Sequence, residues 1–276
     1  MSLPARFVKM AGGGNDFLVF EADGRGLDGE ARRRLALLCR RGLSVGADGA
    51  LFLSPAKTGH VRLDYFNSDG GPATFCANGT RCAARYAVKH GLVARVNPTL
   101  QTGWGEIEAR VDGERVTLSL PPVIPPLDPI PISGRGLPPT AIPMNVGVPH
   151  LVVFVRGDLA KLAVERLGAP LRRHPAMPEG ANVNFVKAAG SGRIEVRTYE
   201  RGVEGETLSC GSGVVAAAIA AGRQGMASSP VACGTRSGVD LTVEFQDDGD
   251  AFTHVRLTGD AREVYGAELS EEAWRE

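Results

Sequence analysis

The sequence predicts an α+β fold made of two similar halves, each a curved antiparallel or mixed sheet, barrel-like, around a central helix. Three observations predict it. The stretches Cys76-Ala77-Asn78-Gly79 and Cys210-Gly211-Ser212-Gly213 each open an alanine-rich run, and with the cysteines aligned the pattern Cys-x-x-Gly-x-x-x-Ala-Ala-x-x-Ala holds in both. Gly79 then matches Gly213, Ala83 and Ala84 match Ala217 and Ala218, and Ala87 matches Ala221. The two cysteines lie 134 positions apart in a chain of 276 residues, and a repeat at half length marks a duplicated fold. The second run is apolar nearly all round, which implies burial on every side, as in a helix wrapped by a curved sheet.

The local chemistry of the repeat points further. Alanine is the best helix former, so both runs read as helices, and the glycines ahead of them permit tight turns and close approach to a ligand. Each cysteine sits at or just before a helix N-terminus, where unpaired N–H groups and the macrodipole favour a thiolate or hold a carboxylate. Two such sites facing one another would present two thiols to one small acid. Either cysteine alone reads first as a small buried residue at a helix–sheet contact; the matched pair is what points to chemistry.

Composition narrows the classes. Length and a 43% hydrophobic content allow a substantial core, as one large domain or two small ones. With 31 basic and 31 acidic side chains there is no electrostatic argument for nucleic acid or a membrane surface. Residues 1–6 lack the apolar core of a signal peptide, and the longest apolar run, 214–221, is far short of the roughly 20 residues that span a bilayer. Five cysteines with no CxxC pair argue against a disulfide scaffold and a zinc site. A cytoplasmic protein with reduced thiols is expected.

Residues 7–10 read as the first strand, the glycine-rich turn Gly12-Gly13-Gly14 as a hairpin, and 18–20 as the second strand. No Lys-Ser/Thr follows the glycines, so a phosphate loop is disfavoured; Asn15 is a candidate ligand contact because an amide both donates and accepts. Residues 30–41 have helical periodicity, with Leu35, Leu38 and Cys39 on one face. Strands at 50–53 and 62–66 precede the turn Asn67-Ser68-Asp69-Gly70-Gly71 and the first alanine-rich helix, expected to reach about His90. Cys82 is six positions past Cys76, about 240° around a helix, so a disulfide between them is not expected. Strand signals at 100–101, 105–111 and 115–120 lead into a proline-rich crossing that includes Pro125, Pro126, Pro129 and Pro131. The second half continues with a strand at 151–155, a helix and its exit over 158–174, and strands at 182–186 and 193–201. A turn at 202–206 then leads to Cys210 and the second helix. Closing strands fall at 239–245 and 254–258, with a last one from Val264 and Tyr265. The expected division is 1–120, together with a returning strand at 265–276, against 121–264.

Six segments, in order, resemble the diaminopimelate epimerase family along nearly the whole chain. They are Gly12-Gly13-Gly14-Asn15-Asp16-Phe17, Gly46-Ala47-Asp48-Gly49, Tyr65-Phe66-Asn67-Ser68-Asp69-Gly70, Cys76-Ala77-Asn78-Gly79-Thr80-Arg81-Cys82, 178–185, and Tyr199-Glu200-Arg201-Gly202 followed by 205–213. The resemblance implies a cofactor-independent amino-acid epimerase, commonly a homodimer, with Cys76 and Cys210 as base and acid on opposite faces of an α-carbon. It carries over Asn15, Asn67 and Asn182 as substrate contacts, Glu200 for an ammonium and Arg201 for a distal carboxylate. Asn78, Gly79, Gly211 and Ser212 are the expected donors to the α-carboxylate at the two helix N-termini, since a carbanion formed without pyridoxal or metal needs dipoles to stabilise it. His150 is a candidate auxiliary for moving a thiol proton, beside an equal reading as a structural histidine.

Three positions depart from the family pattern: Ala77 where glycine is usual, Val148 where asparagine is usual before Pro-His, and Glu204 as an added residue before Cys210. Two alternatives stay open at this level. One is a two-cysteine racemase of another amino acid, such as histidine; the other is a non-catalytic small-acid-binding protein, which would have no need of two thiols.

Overall fold

The computed structural model describes residues 3–94, 96–124, 128–190 and 192–275; Pro125 and Pro126 of the expected crossing lie outside the described residues. The chain divides into two compact units, one of residues 1–118 and 259–276, the other of 119–258. The sequence expectation set the divisions at 120/121 and 264/265.

The strands and helices follow in order: β1 (Arg6–Gly12), β2 (Asn15–Glu21), α1 (Gly29–Leu38), β3 (Gly49–Pro55), β4 (His60–Asn67), β5 (Pro72–Ala73), α2 (Ala77–Lys89), β6 (Thr99–Thr102), β7 (Gly105–Asp112) and β8 (Arg115–Ser119). Then come β9 (Ile130–Pro131), β10 (Thr140–Asn145), β11 (Pro149–Phe154), α3 (Val164–Leu171), β12 (Asn182–Ala188), β13 (Arg193–Glu200), β14 (Gly205–Thr207), α4 (Gly211–Arg223), β15 (Val231–Thr235), β16 (Asp240–Asp247), β17 (Phe252–Asp260) and β18 (Arg262–Glu268).

The two units share one pairing grammar. In the first, β1–β2 is antiparallel, β2–β3 parallel, β3–β4 and β4–β5 antiparallel, β4–β6 parallel and β6–β7 antiparallel. In the second, β10–β11, β11–β12, β12–β13, β13–β14, β13–β15 and β15–β16 repeat those senses in the same order. Even register is kept. Phe17 opposite Gly49 becomes His150 opposite Asn182, and His60 opposite Thr99 becomes Arg193 opposite Ala232, every residue moved by 133 positions. Because side chains alternate along a strand, a kept register means that equivalent residues face equivalent ways. The returning strand β18 pairs antiparallel with β1.

Each sheet carries a helix on either face. In the first unit Ala31, Leu35 and Leu38 of α1 pack with Phe7, Leu18, Phe20, Ala50, Phe52 and Phe66, and Cys39 is buried among them. On the other face α2 touches β1, β2, β3, β4, β6, β7 and β18. With both faces covered, Phe17 to Phe20 are all buried, so this strand reads as a continuous apolar run and not an alternation. In the second unit α3 packs on one face through Val164, Leu167 and Leu171, and α4 lies against β10, β11, β12, β13, β15 and β16. Val214 to Ala221 are all completely buried, as the all-round apolar run requires.

Three local expectations change. The helix expected over 158–174 is a short 3-10 turn, Leu159–Lys161, then α3, because the chain is extended at Leu162 and Pro170 ends α3 within a turn. Strand β10 was hidden by its prolines: Pro143 lies opposite Leu151 within the ladder, while the pairing with β9 reaches only Thr140 and Ala141. The last strand also begins at Arg262, ahead of Val264.

Candidate active site

The first half-site is built on the N-terminus of α2. Cys76 is the N-cap, with extended backbone (φ −142°), and its Sγ accepts from the Gly79 N–H at 3.5 Å. Its carbonyl accepts from the Thr80 N–H at 2.8 Å and from Thr80 Oγ1 at 2.9 Å. A chain of side-chain bonds runs away from it. Arg81 Nη2 donates to Asn78 Oδ1 at 2.7 Å, Asn78 Nδ2 to Asn15 Oδ1 at 2.7 Å, and Asn15 Nδ2 to Asp48 Oδ2 at 2.9 Å. Asp48 and Asp16 share Arg41, and the buried Lys9 lies 2.7 Å from Asp16. Burial alone would raise the Asp16 carboxyl, but Arg41 and Lys9 together hold it below its usual range. The glycine turn is a hairpin closing Gly12 against Asn15. Gly13 has φ +61°, and a Cβ there would lie 2.9 Å from Arg81 Nη2, so only glycine fits over the Arg81–Asn78 pair. Asn67, at the end of β4, is exposed; its backbone N–H closes a turn to the Gly71 carbonyl.

The second half-site is built the same way on α4. Cys210 is the N-cap (φ −116°), buried, with Sγ 3.6 Å from Ser212 Oγ. Below the helix lies a buried polar chain: Thr198 Oγ1 donates to Asn184 Oδ1 at 3.0 Å, and Asn184 Nδ2 lies 3.2 Å from His150 Nδ1. His150 is completely buried, and among the described residues its Nε2 has no hydrogen-bond partner. Burial, with the Arg201 charge beside it, pushes the imidazole down to about 3, so His150 is neutral at neutral pH. Asn182 Oδ1 accepts from the Arg201 N–H at 2.8 Å, Arg201 Nη1 donates to the Glu179 carbonyl at 2.9 Å, and Thr207 Oγ1 donates to Glu200 Oε1 at 2.5 Å. Glu204 takes up a left-handed conformation (φ 56°) and binds Arg172 at 2.6 Å and Arg173 at 2.9 Å, so the added residue is tied to the end of α3.

Bonds join Asn15 to Asn78 and Cys76 to Gly79 at the start of α2, while in the other unit Cys210 meets Ser212 and Asn182 meets Arg201 as two separate pairs. Sequence reasoning passed over Arg81, Asp48, Asp260, Asn184, Thr198 and Thr207. Two signals were available: Asn184 is two positions from Asn182, hence on the same strand face, and Arg81 is a charge set among the small residues of a helix. The remaining cysteines are free thiols held inert by burial, which pushes Cys39 and Cys82 up to about 12 and raises Cys233 as well. Among the described residues no group of three His, Cys, Asp or Glu side chains could hold a metal ion, and no helix is long and apolar enough to cross a membrane.

The two helix floors differ, and the difference is testable. A Cβ on Gly79 would meet Leu51 Cδ2 at 3.0 Å and Phe17 Cε1 at 3.5 Å, whereas on Gly213 it would meet Asn184, with Oδ1 the nearest atom. A leucine methyl can yield, but Asn184 is held from both sides. Gly213→Ala is expected to break the Thr198 and His150 contacts and cost about 2–3 kcal/mol, against about 1 kcal/mol or less for Gly79→Ala. Chemical denaturation of the two variants checks the order.

A duplicated α+β scaffold with a cysteine-capped helix in each half defines the class. In fold it is similar to a solved phenazine biosynthesis protein of the PhzF family from Bacillus anthracis, with a TM-score of 0.71 over 96% of this chain and 99% of that one. At 17% identity that likeness shows the fold alone. Sequence relatives are more specific: a diaminopimelate epimerase of Aquifex aeolicus is 38% identical over 96% of this chain and 98% of its own, and one of Archaeoglobus fulgidus is 39% identical over 94% of each. The diaminopimelate epimerase family profile matches residues 7–123 and 143–264, and the chain belongs to that family. It is an isomerase, an epimerase.

Proposed function

We propose that this enzyme converts LL-diaminopimelate to the meso form without a cofactor, supplying lysine and peptidoglycan precursors, with Cys76 and Cys210 as the two proton-transferring groups. The observation that carries the mechanism is the pair of equivalent cysteine N-caps, each at the mouth of a buried helix, in a chain of this family. Inversion needs a base on one face of the α-carbon and an acid on the other. A thiolate takes the α-proton and becomes a thiol, while the second thiol gives its proton to the opposite face and becomes a thiolate. The carbanion between the two steps is held by N–H donors at Asn78, Gly79, Gly211 and Ser212. Asn15, Asn67 and Asn182 are assigned as substrate contacts, and Glu200, already oriented by Thr207, as the partner of an ammonium. The part of the Arg201 fork beyond its bond to Glu179 is assigned to the distal carboxylate. His150, neutral in its buried setting, is assigned to holding the floor beneath α4 and to relaying a thiol proton only in that neutral form. On this reading the two units are duplicated halves that each lend one thiol, and the enzyme is a cytoplasmic homodimer. Light scattering on the purified enzyme checks the dimer.

The test is α-proton exchange. Reduced enzyme is incubated with LL-diaminopimelate in D₂O without added pyridoxal phosphate or metal. Deuterium at the α-carbon together with meso product is expected. No exchange, from protein with both thiols titratable, overturns the substrate assignment and directs the same assay to other amino acids, histidine among them.

A further inference from the structure

We propose that Arg81 is a fixed counter-charge that makes Cys76, and not Cys210, the resting thiolate of the pair. The inference rests on the two-thiol reading above and deepens it by giving the thiols unequal roles before substrate arrives.

Among the described residues Arg81 is the largest completely buried side chain, one turn into the helix that Cys76 caps. Its polar contacts are with neutral groups: Nη2 donates to Asn78 Oδ1 at 2.7 Å and Nε to the Asp260 backbone carbonyl at 3.2 Å. Nη1 is buried with no hydrogen-bond partner, and no carboxylate forms an ion pair with Arg81 among the described residues. A guanidinium stays charged at any working pH, and burying one without an anion is costly. The carboxylate that acts on Arg81, Asp260, is engaged elsewhere, accepting from the Gly13 N–H at 2.7 Å and from Arg262 Nε at 3.1 Å. Arg81 and Arg262 against Asp260 leave one positive charge beside the first turn of α2. Cys76 and Cys82 are the other titrating groups in its field, and Cys82 is kept protonated by burial. A Cys76 thiolate is the anion that this cation lacks. The charges further along the chain, Asp48, Asp16, Arg41 and Lys9, are paired with one another.

The duplication supplies an internal control. Aligned on the cysteines, Arg81 becomes Val215, also completely buried. Through the kept register, Phe17 and Leu51 beneath Gly79 become His150 and Asn184 beneath Gly213. One helix therefore carries a buried cation over an apolar floor, and the other carries an apolar residue over a neutral polar floor. The buried residues of α4, Gly211 to Ala221, are all uncharged, so no buried cation stands in that helix where Arg81 stands in α2.

The test follows the pH dependence of iodoacetamide labelling at each cysteine by peptide mass spectrometry, in the wild type, Arg81→Gln, which keeps a donor for Asn78, and Arg81→Lys, which keeps the charge. The midpoint of each curve, unlike the rate, does not depend on how exposed the thiol is. The expected result is a lower midpoint for Cys76 than for Cys210 in the wild type. In Arg81→Gln the Cys76 midpoint rises by about one to two pH units, a fall of roughly tenfold or more in labelling at neutral pH, while the Cys210 midpoint stays. In Arg81→Lys most of that shift is absent. A wild-type Cys76 midpoint equal to or above that of Cys210 overturns the proposal without any variant, so it stays falsifiable even if Arg81→Gln does not fold. An unmoved Cys76 midpoint in folded Arg81→Gln overturns it too. Labelling needs no turnover, so ordered midpoints in protein that exchanges no diaminopimelate would fault the substrate assignment and support this one.

Discussion

Cys76→Ala and Cys210→Ala are each expected to lower epimerisation by roughly 10⁴-fold, and the double variant by little more than either alone, because the two thiols act as one unit. Neither should unfold the protein. Cys76 Sγ accepts a long bond, 3.5 Å, from the Gly79 N–H, and losing a helix cap costs about 1 kcal/mol. Cys210 is buried, but alanine is nearly as small and belongs in the helix it opens. Steady-state turnover beside a thermal unfolding curve separates loss of chemistry from loss of fold. A near wild-type rate in either folded single variant ends the two-thiol mechanism. Exchange in D₂O adds a finer reading: a variant that keeps one thiol can still remove a proton from the face it serves, so washout from one stereoisomer only is the signature of thiols with separate faces.

Stability is expected to fall as the pH drops from about 6.5 towards 3, and His150 is expected to cause a large part of it. The unfolded chain takes up a proton near 6.5 while the folded chain refuses it until about 3, so between those values the unfolded state binds more protons. The His150 contribution is present in full above 6.5 and is lost progressively as the pH falls through the window, with a ceiling of roughly 5 kcal/mol. The folded state gains little by ionising His150, because the ring is buried, its Nδ1 lies against the Asn184 amide and the Arg201 charge disfavours a second cation. Denaturant melts of the wild type and His150→Gln at pH 7 and pH 4 check the sign: glutamine costs stability at both, but the loss between the two pH values should shrink. An unchanged pH slope in His150→Gln would place the acid sensitivity elsewhere.

The sequence by itself determined the duplication, the two buried helices and the cysteines that cap them. Those follow from local rules: alanine content, glycine placement, all-round apolarity and a repeat at half the chain length. The family resemblance named the polar residues worth watching. Tertiary structure decided what those residues are bonded to. Asn78 and Asn15 are bonded to each other, and Asn182 is spent on the Arg201 backbone, which no spacing along the chain reveals. Strand β10 was invisible because proline preference is local, whereas its place in the ladder, with Pro143 opposite Leu151, depends on its partner β11. The sequence showed two alike halves, and the kept register turned that likeness into a comparison, position by position. Only then did Arg81 stand against Val215, and Phe17 and Leu51 against His150 and Asn184. Burial is what gives these differences force, since a charge or an imidazole is cheap in water and costly inside, and burial is a property of the folded chain alone.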